Sequence, residues 1–201
     1  MKSADDRRFP DALAASLAVT FDYAGGDGID FEPFTAFLPA DETTAWIRAW
    51  TGNAELTGDD FRVFGQDGTG GYAAIWLLRQ DCALIEQPIV FLGSEGETAA
   101  VARDVDDFLW LLAGGYGPLE ATPSFTTSEP GWTPRPHQEL TAIAERHAPI
   151  RRRPAADVIA LASQEYPYFE HRHGALPLIL SKLRSPHPLA QQRMGARMMM
   201  R

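Results

Sequence analysis

"FGQDGTGGYAAIW", residues Phe64 to Trp76, decides the fold. Gly68, Gly70 and Gly71 crowd behind Asp67, and the chain then runs straight into Tyr72, Ile75 and Trp76. Glycine-rich loops that cradle phosphate open onto a helix, because the anion sits against the free N–H groups of the first turn. Here the following residues are aromatic and branched, which favour an extended chain, and no lysine follows the glycines. The stretch therefore reads as a tight connection between two strands, with Asp67 bonding to nearby backbone inside the turn.

Outward from that turn, "FRVF" at 61–64 and "YAAIWLLR" at 72–79 are the two strands it joins. "PIVFLG" at 88–93 is a third, and Thr98 to Ala102 a fourth. The connections are four to eight residues long, too short for helical crossovers, so neighbouring strands must run antiparallel. "DVDDFLWLLAGG" then places Val105, Phe108, Leu109 and Leu112 on one face of a helix, with Asp104 as its cap, Asp106 and Asp107 complementing its dipole, and Gly114 as its stop. Upstream, "PADETTAWIRAWTGN" predicts a short helix capped by Asp41 and ended by Gly52, with Trp46 and Trp50 four apart on one stripe. Such a stripe is either core or an aromatic patch facing a partner. "DYAGGDGIDFE" at 22–32 resembles a calcium-binding repeat but occurs once, and Glu32 stands where that repeat needs an apolar residue. It reads as a turn.

Past residue 121 the composition changes. Residues 122–137 are rich in proline and threonine and predict an irregular connection. Two amphipathic helices follow, one showing Leu140, Ile143, Ala144 and His147, the other Val158, Leu161, Ala162 and Glu165. The expected division is a body over 1–121, the connection, a helical extension over 138–183 packed on the body, and a mobile tail over 184–201. The fold class is α+β: a mostly antiparallel, twisted sheet with helices packed on one side, plus the C-terminal helical extension.

Charge divides the same way. The chain of 201 residues has a net charge of −9, but residues 1–120 carry 21 acidic and 7 basic side chains, and residues 121–201 carry 6 and 11, with all five histidines. A body this acidic repels nucleic acid and attracts a basic partner. The basic extension either clamps back on the acidic body or adds two helices to its core; the apolar stripes at Leu140, Ile143, Val158 and Leu161 favour the second. Cys82 is the only cysteine, so neither an intrachain disulfide nor a cysteine zinc cluster can form. The apolar run Ala12 to Val19 is too short to span a bilayer, and "MKSADDRRFPDA" does not read as a secretory signal. The expected compartment is the cytoplasm, with no membrane partner.

The chemistry-bearing candidates are few. Asp67 is a lone carboxylate in its loop, whereas a hard cation wants about six oxygens. His171 and His173 share a strand face in "EHRHG", a polar stretch more often solvated than zinc-binding. Ser94 in "LGSEG" lacks the glycine-x-serine-x-glycine pattern of a nucleophile elbow, and no histidine precedes residue 137. Glu95 and Glu97 could do acid/base work only if one were desolvated. The expectation is a non-enzymatic protein with no metal and no cofactor, whose surface role falls to Trp46, Trp50, Asp67, Gly68, Thr69, Gly70, Gly71, Glu95 and Glu97. An enzyme would instead need a deep pocket around a carboxylate of unusual proton affinity.

The order "FGQDGTGGYAAIW", "QPIVFLGSEGE", "VARDVDDFLWLLAGG" resembles the SUKH superfamily, the Smi/Knr-like cell-wall-assembly-regulator family. The matching features are the glycine turn at Gly68, Gly70 and Gly71, the proline-led strand from Pro88 to the turn at Glu97, and the helix signature Asp107, Phe108, Leu109. They cover roughly residues 35–113. "FLPADETTAWIRAW" is at most a variant of the amino-terminal entry that many relatives carry. The resemblance implies an α+β fold and a binding role without catalysis: either an immunity protein that blocks a toxin domain such as a nuclease, or a regulatory scaffold.

Overall fold

The computed structural model describes residues 7–167 and Phe169. The histidine pair at 171 and 173, most of the stretch after 166 assigned to the extension, and the tail over 184–201 lie outside them.

The predicted hairpins are present and form the sheet. Five strands, β1 (Glu32–Pro33), β2 (Phe61–Gln66), β3 (Tyr72–Trp76), β4 (Ile89–Leu92) and β5 (Thr98–Ala102), pair antiparallel in the order β1-β2-β3-β4-β5. This is a meander, the arrangement that short connections impose. β3 stops at Trp76 rather than running on to residue 79, because Leu78 N–H turns back to the Trp76 carbonyl (2.8 Å). A bulge between Val63 and Gly65 resets the register of β2 against β3. Phe61 and Val63 point to one face and Phe64 to the other, the ordinary alternation of a strand.

Both faces are covered. On the first, Phe64, Ala73, Ile75, Ile89, Phe91 and Val101 meet α1 (Asp11–Leu17), α3 (Val105–Ala113) and α5 (Gln138–His147). On the second, Val63, Ala74, Trp76, Val90 and Leu92 meet α2 (Ala40–Thr51) through Ile47. The expected α+β class holds, and α2 adds a layer on the face opposite the main helices. α6 (Ala155–Glu165) runs along β5 and bridges the two faces, Val158 joining the first core and Ala162 the second. It thereby covers one edge of the sheet; the other edge is only the two-residue β1. A covered edge and a very short one both protect a sheet against pairing with another chain.

α5 and α6 both pack on α3. Asp104 caps it, accepting from Asp107 N–H at 2.8 Å, as its sequence predicted. The predicted face is buried, but so are Trp110, Leu111 and Ala113. The reason is that α5 and α6 cover its outer side, and a helix apolar all round is a helix enclosed all round. Leu140, Ala144 and Val158 are fully buried in that contact, with Ile143 half-buried. Charge secures it as well: Arg151 reaches Asp104 (3.0 Å), and Arg103 and Arg153 approach the fully buried Asp107 at 2.7 and 3.5 Å. Packing and clamp are thus one structure.

Two local expectations are corrected. α2 begins at Ala40 behind Pro39, so Asp41 lies in its first turn and Thr43 Oγ1 bonds the Pro39 carbonyl (3.0 Å). The connection at 122–137 contains α4 (Pro123–Ser128), which Thr122 caps by accepting from Phe125 N–H (3.2 Å), with Pro123 preset for a first turn. Among the described residues no helix is long and apolar enough to cross a membrane.

Candidate functional site

The turn from Asp67 to Gly71 closes on itself. Asp67 N–H donates to the Gly71 carbonyl (3.0 Å) and Gly70 N–H to the Asp67 carbonyl (3.2 Å). Gly70 has φ +90°, the left-handed residue that a three-residue hairpin loop requires. Inside the loop, Asp67 Oδ1 accepts from Thr69 N–H (2.9 Å), Thr69 Oγ1–H (2.8 Å) and Gly71 N–H (2.8 Å). Asp67 is 4% exposed, and its second carboxylate oxygen, Oδ2, is buried without a hydrogen-bond partner. Asp67 therefore builds the loop from within, and the outward atoms belong to Gly68 and Thr69.

Beside it stands a second turn with the same plan. Gly93 N–H donates to the Glu97 carbonyl (2.8 Å), Gly96 N–H to the Gly93 carbonyl (3.1 Å), and Gly96 has φ +93°. The two turns are neighbours because β3 pairs with β4 in a register that sets Tyr72 opposite Leu92. A Cβ on Gly71 would lie 2.8 Å from the Phe91 ring and 3.0 Å from Gly93 Cα, so only glycine fits there. Ser94 Oγ–H donates to Thr69 Oγ1 (3.0 Å), linking Ser94 through Thr69 to Asp67.

Two further elements converge on the pair. From α2, Trp46 and Trp50 stack at 5.1 Å with planes 18° apart, Trp46 lies over Tyr72 at 4.6 Å, and Trp50 Nε1–H donates to the Gly93 carbonyl (2.8 Å). Both tryptophans are half-buried, so the stripe belongs partly to the second core and partly to the surface. Burial, assisted by the charge of Glu42, raises the pKa of the Tyr72 phenol. Phe34, 6.2 Å from Tyr72, continues the aromatic surface into a shallow depression of about 350 Å³ flanked by Arg7 and Leu38. From the other side, Asp30 Oδ1 accepts from Gly68 N–H (2.9 Å), and Asp30 N–H donates to Glu120 Oε1 (2.7 Å). Glu120 is 2% exposed and its Oε2 has no partner. Burial pushes its carboxyl above the usual carboxylate range, against the pull of the main-chain donors.

All nine residues singled out in the sequence thus gather at one end of the sheet. Gly71 and Asp67 are interior, Trp46, Trp50, Gly70 and Glu97 are half-buried, and Gly68, Thr69 and Glu95 are exposed. Asp30, Glu120, Tyr72 and Phe34 belong to the same end and lie outside those nine. For Glu120 a signal existed, a single acid within the otherwise uncharged "GGYGPLEA"; for Asp30 there was none. Ser94 bonds Thr69, and the two histidines among the described residues lie on or next to α5, where His137 Nδ1 accepts from Leu140 N–H (3.4 Å). Among the described residues no group of three or more histidine, cysteine, aspartate or glutamate side chains is placed to hold a metal ion.

Fold and site together define an α+β meander that presents paired hairpin turns beside an aromatic stack. The chain matches no protein-family model, no curated protein and no solved structure.

Proposed function

We propose that the chain is a cytoplasmic, non-enzymatic interaction protein of the SUKH, Smi/Knr-like kind, and that it acts as an immunity protein. In this reading it neutralises a cognate basic toxin domain, such as a nuclease, by binding and occluding it. The observation that carries the reading is the convergence of Trp46, Trp50 and Tyr72 with the turns bearing Thr69, Glu95 and Glu97. Half-buried aromatic rings held by a rigid scaffold are the anchors that supply interface energy, and an acidic rim sets the orientation of a basic partner. Glu95 and Glu97 on this rim, with Glu42 near Tyr72, provide that charge. The acidic body speeds encounter with such a partner and disfavours acidic competitors.

The test is co-expression with the carboxyl-terminal domain encoded by a large neighbouring gene in the source chromosome. The wild-type chain restores growth and captures that domain. Glu95→Lys with Glu97→Lys lowers the association rate at low salt about tenfold or more and leaves the thermal midpoint within a few degrees. Equal capture by the charge-reversed variant removes this surface from the site, and growth arrest despite wild-type co-expression removes the immunity role.

A further inference from the structure

The stretch "EPFTAFLP", residues 32–39, continues from β1 along β2 as an arch. Phe34 N–H donates to the Phe64 carbonyl and Leu38 N–H to the Val63 carbonyl, each at 2.9 Å. The donors are four residues apart and the acceptors one, so Thr35, Ala36 and Phe37 bow away from β2 between them. Phe37 turns inward, 1% exposed in the first core, with the Phe9 ring set edge-on at 4.7 Å. Phe34 and Leu38 pack against the second core instead. The two cores thus hold the arch open. Beside it lies the depression of about 350 Å³ lined by Arg7, Pro33, Phe34, Thr35, Ala36 and Leu38.

Arg7 is the charged member of that lining, and it is fixed in place. Its Nε–H donates to the Phe37 carbonyl (2.7 Å), and its own carbonyl accepts from Phe37 N–H (2.9 Å). This reciprocal pair ties both the main chain and the guanidinium of Arg7 to a buried residue. Among the described residues Nη1 and Nη2 have no acceptor, so that edge of the fork is left for a ligand. Two N–H groups side by side on a planar cation match the two oxygens of one carboxylate. Glu32, next to Pro33, accepts from Gln66 Nε2–H (3.0 Å) instead of pairing with Arg7. Apart from Thr35, the rest of the lining is apolar.

We propose that this depression captures the free carboxyl terminus of a peptide chain that ends in an apolar residue. Arg7 takes the carboxylate, and Pro33, Phe34 and Leu38 take the terminal side chain. A depression this shallow does not enclose a small molecule, whose sites bury most of the ligand. A chain end needs only its last residue seated, and the rest can run out over the surface. Phe34 gives that exit a direction, since it stands 6.2 Å from Tyr72, with Trp46 on Tyr72 beyond it. A guanidinium already held by the main chain loses little freedom on binding. The site stands apart from the immunity role, because it needs neither Glu95 nor Glu97 nor a basic partner.

The experiment titrates the isotope-enriched full chain with an acetylated glycine-glycine-phenylalanine tripeptide bearing a free carboxylate, and with its carboxamide. The carboxylate is expected to shift the amide signals of Thr35, Ala36 and Leu38 saturably, and the carboxamide to bind about tenfold more weakly or worse. Arg7→Gln lowers affinity for the carboxylate by a similar factor and leaves the carboxamide unaffected. That variant also loses the bond to Phe37, so Ala36→Glu supplies a second measurement. It keeps Arg7 and its bonds, sets an acid in the lining, and weakens carboxylate binding about tenfold. Equal shifts from acid and amide, or none from either, overturn the proposal, as does unchanged affinity in either variant. Phenylacetate tests the source of the carboxylate. Weaker binding than the tripeptide supports a chain end, and equal binding assigns the depression to small apolar acids and overturns it. Capture by a chain that does not rescue growth leaves the site and ends the immunity role, and rescue without capture does the reverse.

Discussion

The turns at 67–71 and 93–97 share a main-chain plan and differ in what holds it. Each closes with a bond between its first N–H and its fifth carbonyl, and each has its left-handed glycine in the fourth place. The first turn begins with Asp67, whose carboxylate accepts three hydrogen bonds from inside the loop. The second begins with Gly93, which has no side chain to do this, and receives Trp50 Nε1–H on its carbonyl instead. One turn is therefore self-supporting, and the other is held by its neighbours. That difference teaches how the surface is organised: Asp67 sets a rigid reference, and the tryptophans of α2 are joined to the more dependent turn that presents Glu95.

The comparison breaks most severely at Asp67. Asp67→Ala strands the buried Gly71 N–H and removes two further bonds, for an expected loss of about 3 kcal/mol. Asp67→Asn retains an acceptor at Oδ1 but buries an amide NH2 where Oδ2 has no partner, so it should fall between wild type and Asp67→Ala, at about 1–2 kcal/mol. Denaturant titration of the two variants checks this, and equal losses would show that the three bonds do not support the turn. Next in size is a pair of matched insertions. Gly71→Ala sets a methyl against the Phe91 ring and Gly93 Cα, for an expected cost of about 2 kcal/mol. Gly93→Ala meets the Glu97 side chain at Cδ, but that half-buried chain can swing aside, so the cost falls below about 1 kcal/mol.

The same contrast explains what could be read from the sequence. The two hairpins, the Asp104 cap and the pairing of Trp46 with Trp50 depend on residues a few positions apart, and glycine, aspartate and helical spacing signal them directly. Contacts between distant segments gave no such signal. Asp30 reaches Gly68 across 38 positions and Glu120 across 90, and neither partner's identity dictates the other. α4 was hidden because proline and threonine usually mark irregular chain, yet here they form a helix start. The full enclosure of α3 was concealed because a single stripe of apolar residues shows which face a helix buries first, not that α5 and α6 will bury the opposite one. Asp67 was legible as a turn residue but not as a buried one, since its burial depends on the neighbouring turn.

A smaller effect sharpens the dependence of the second turn. Trp50→Phe keeps an aromatic ring for stacking on Trp46 but loses the donor to the Gly93 carbonyl, for about 1 kcal/mol. Amide exchange should quicken at Gly93–Glu97 and stay unchanged at Asp67–Gly71. Equal acceleration of both turns would mean that they form one cooperative unit rather than a support and a dependant.

The smallest expected shift comes from Glu120, which stands behind the first turn alone, through Asp30 N–H and then Asp30 Oδ1 on Gly68 N–H. Burial raises its carboxyl pKa above the usual range, so the unfolded chain releases this proton at a lower pH than the folded chain does. Between those two pKa values the folded state holds more protons, and stability from this group falls as pH rises, levelling once the folded carboxyl has ionised. Glu120→Gln keeps an acceptor for Asp30 N–H and cannot ionise, so it should remove that slope while leaving the Gly93–Glu97 amides untouched. Thermal midpoints of the two proteins, measured upward from the carboxylate range toward neutrality, therefore diverge in favour of Gln. Parallel curves would show that Glu120 is already ionised in the fold and is solvated well enough to cost nothing, which would disconnect the buried acid from the turn it stands behind.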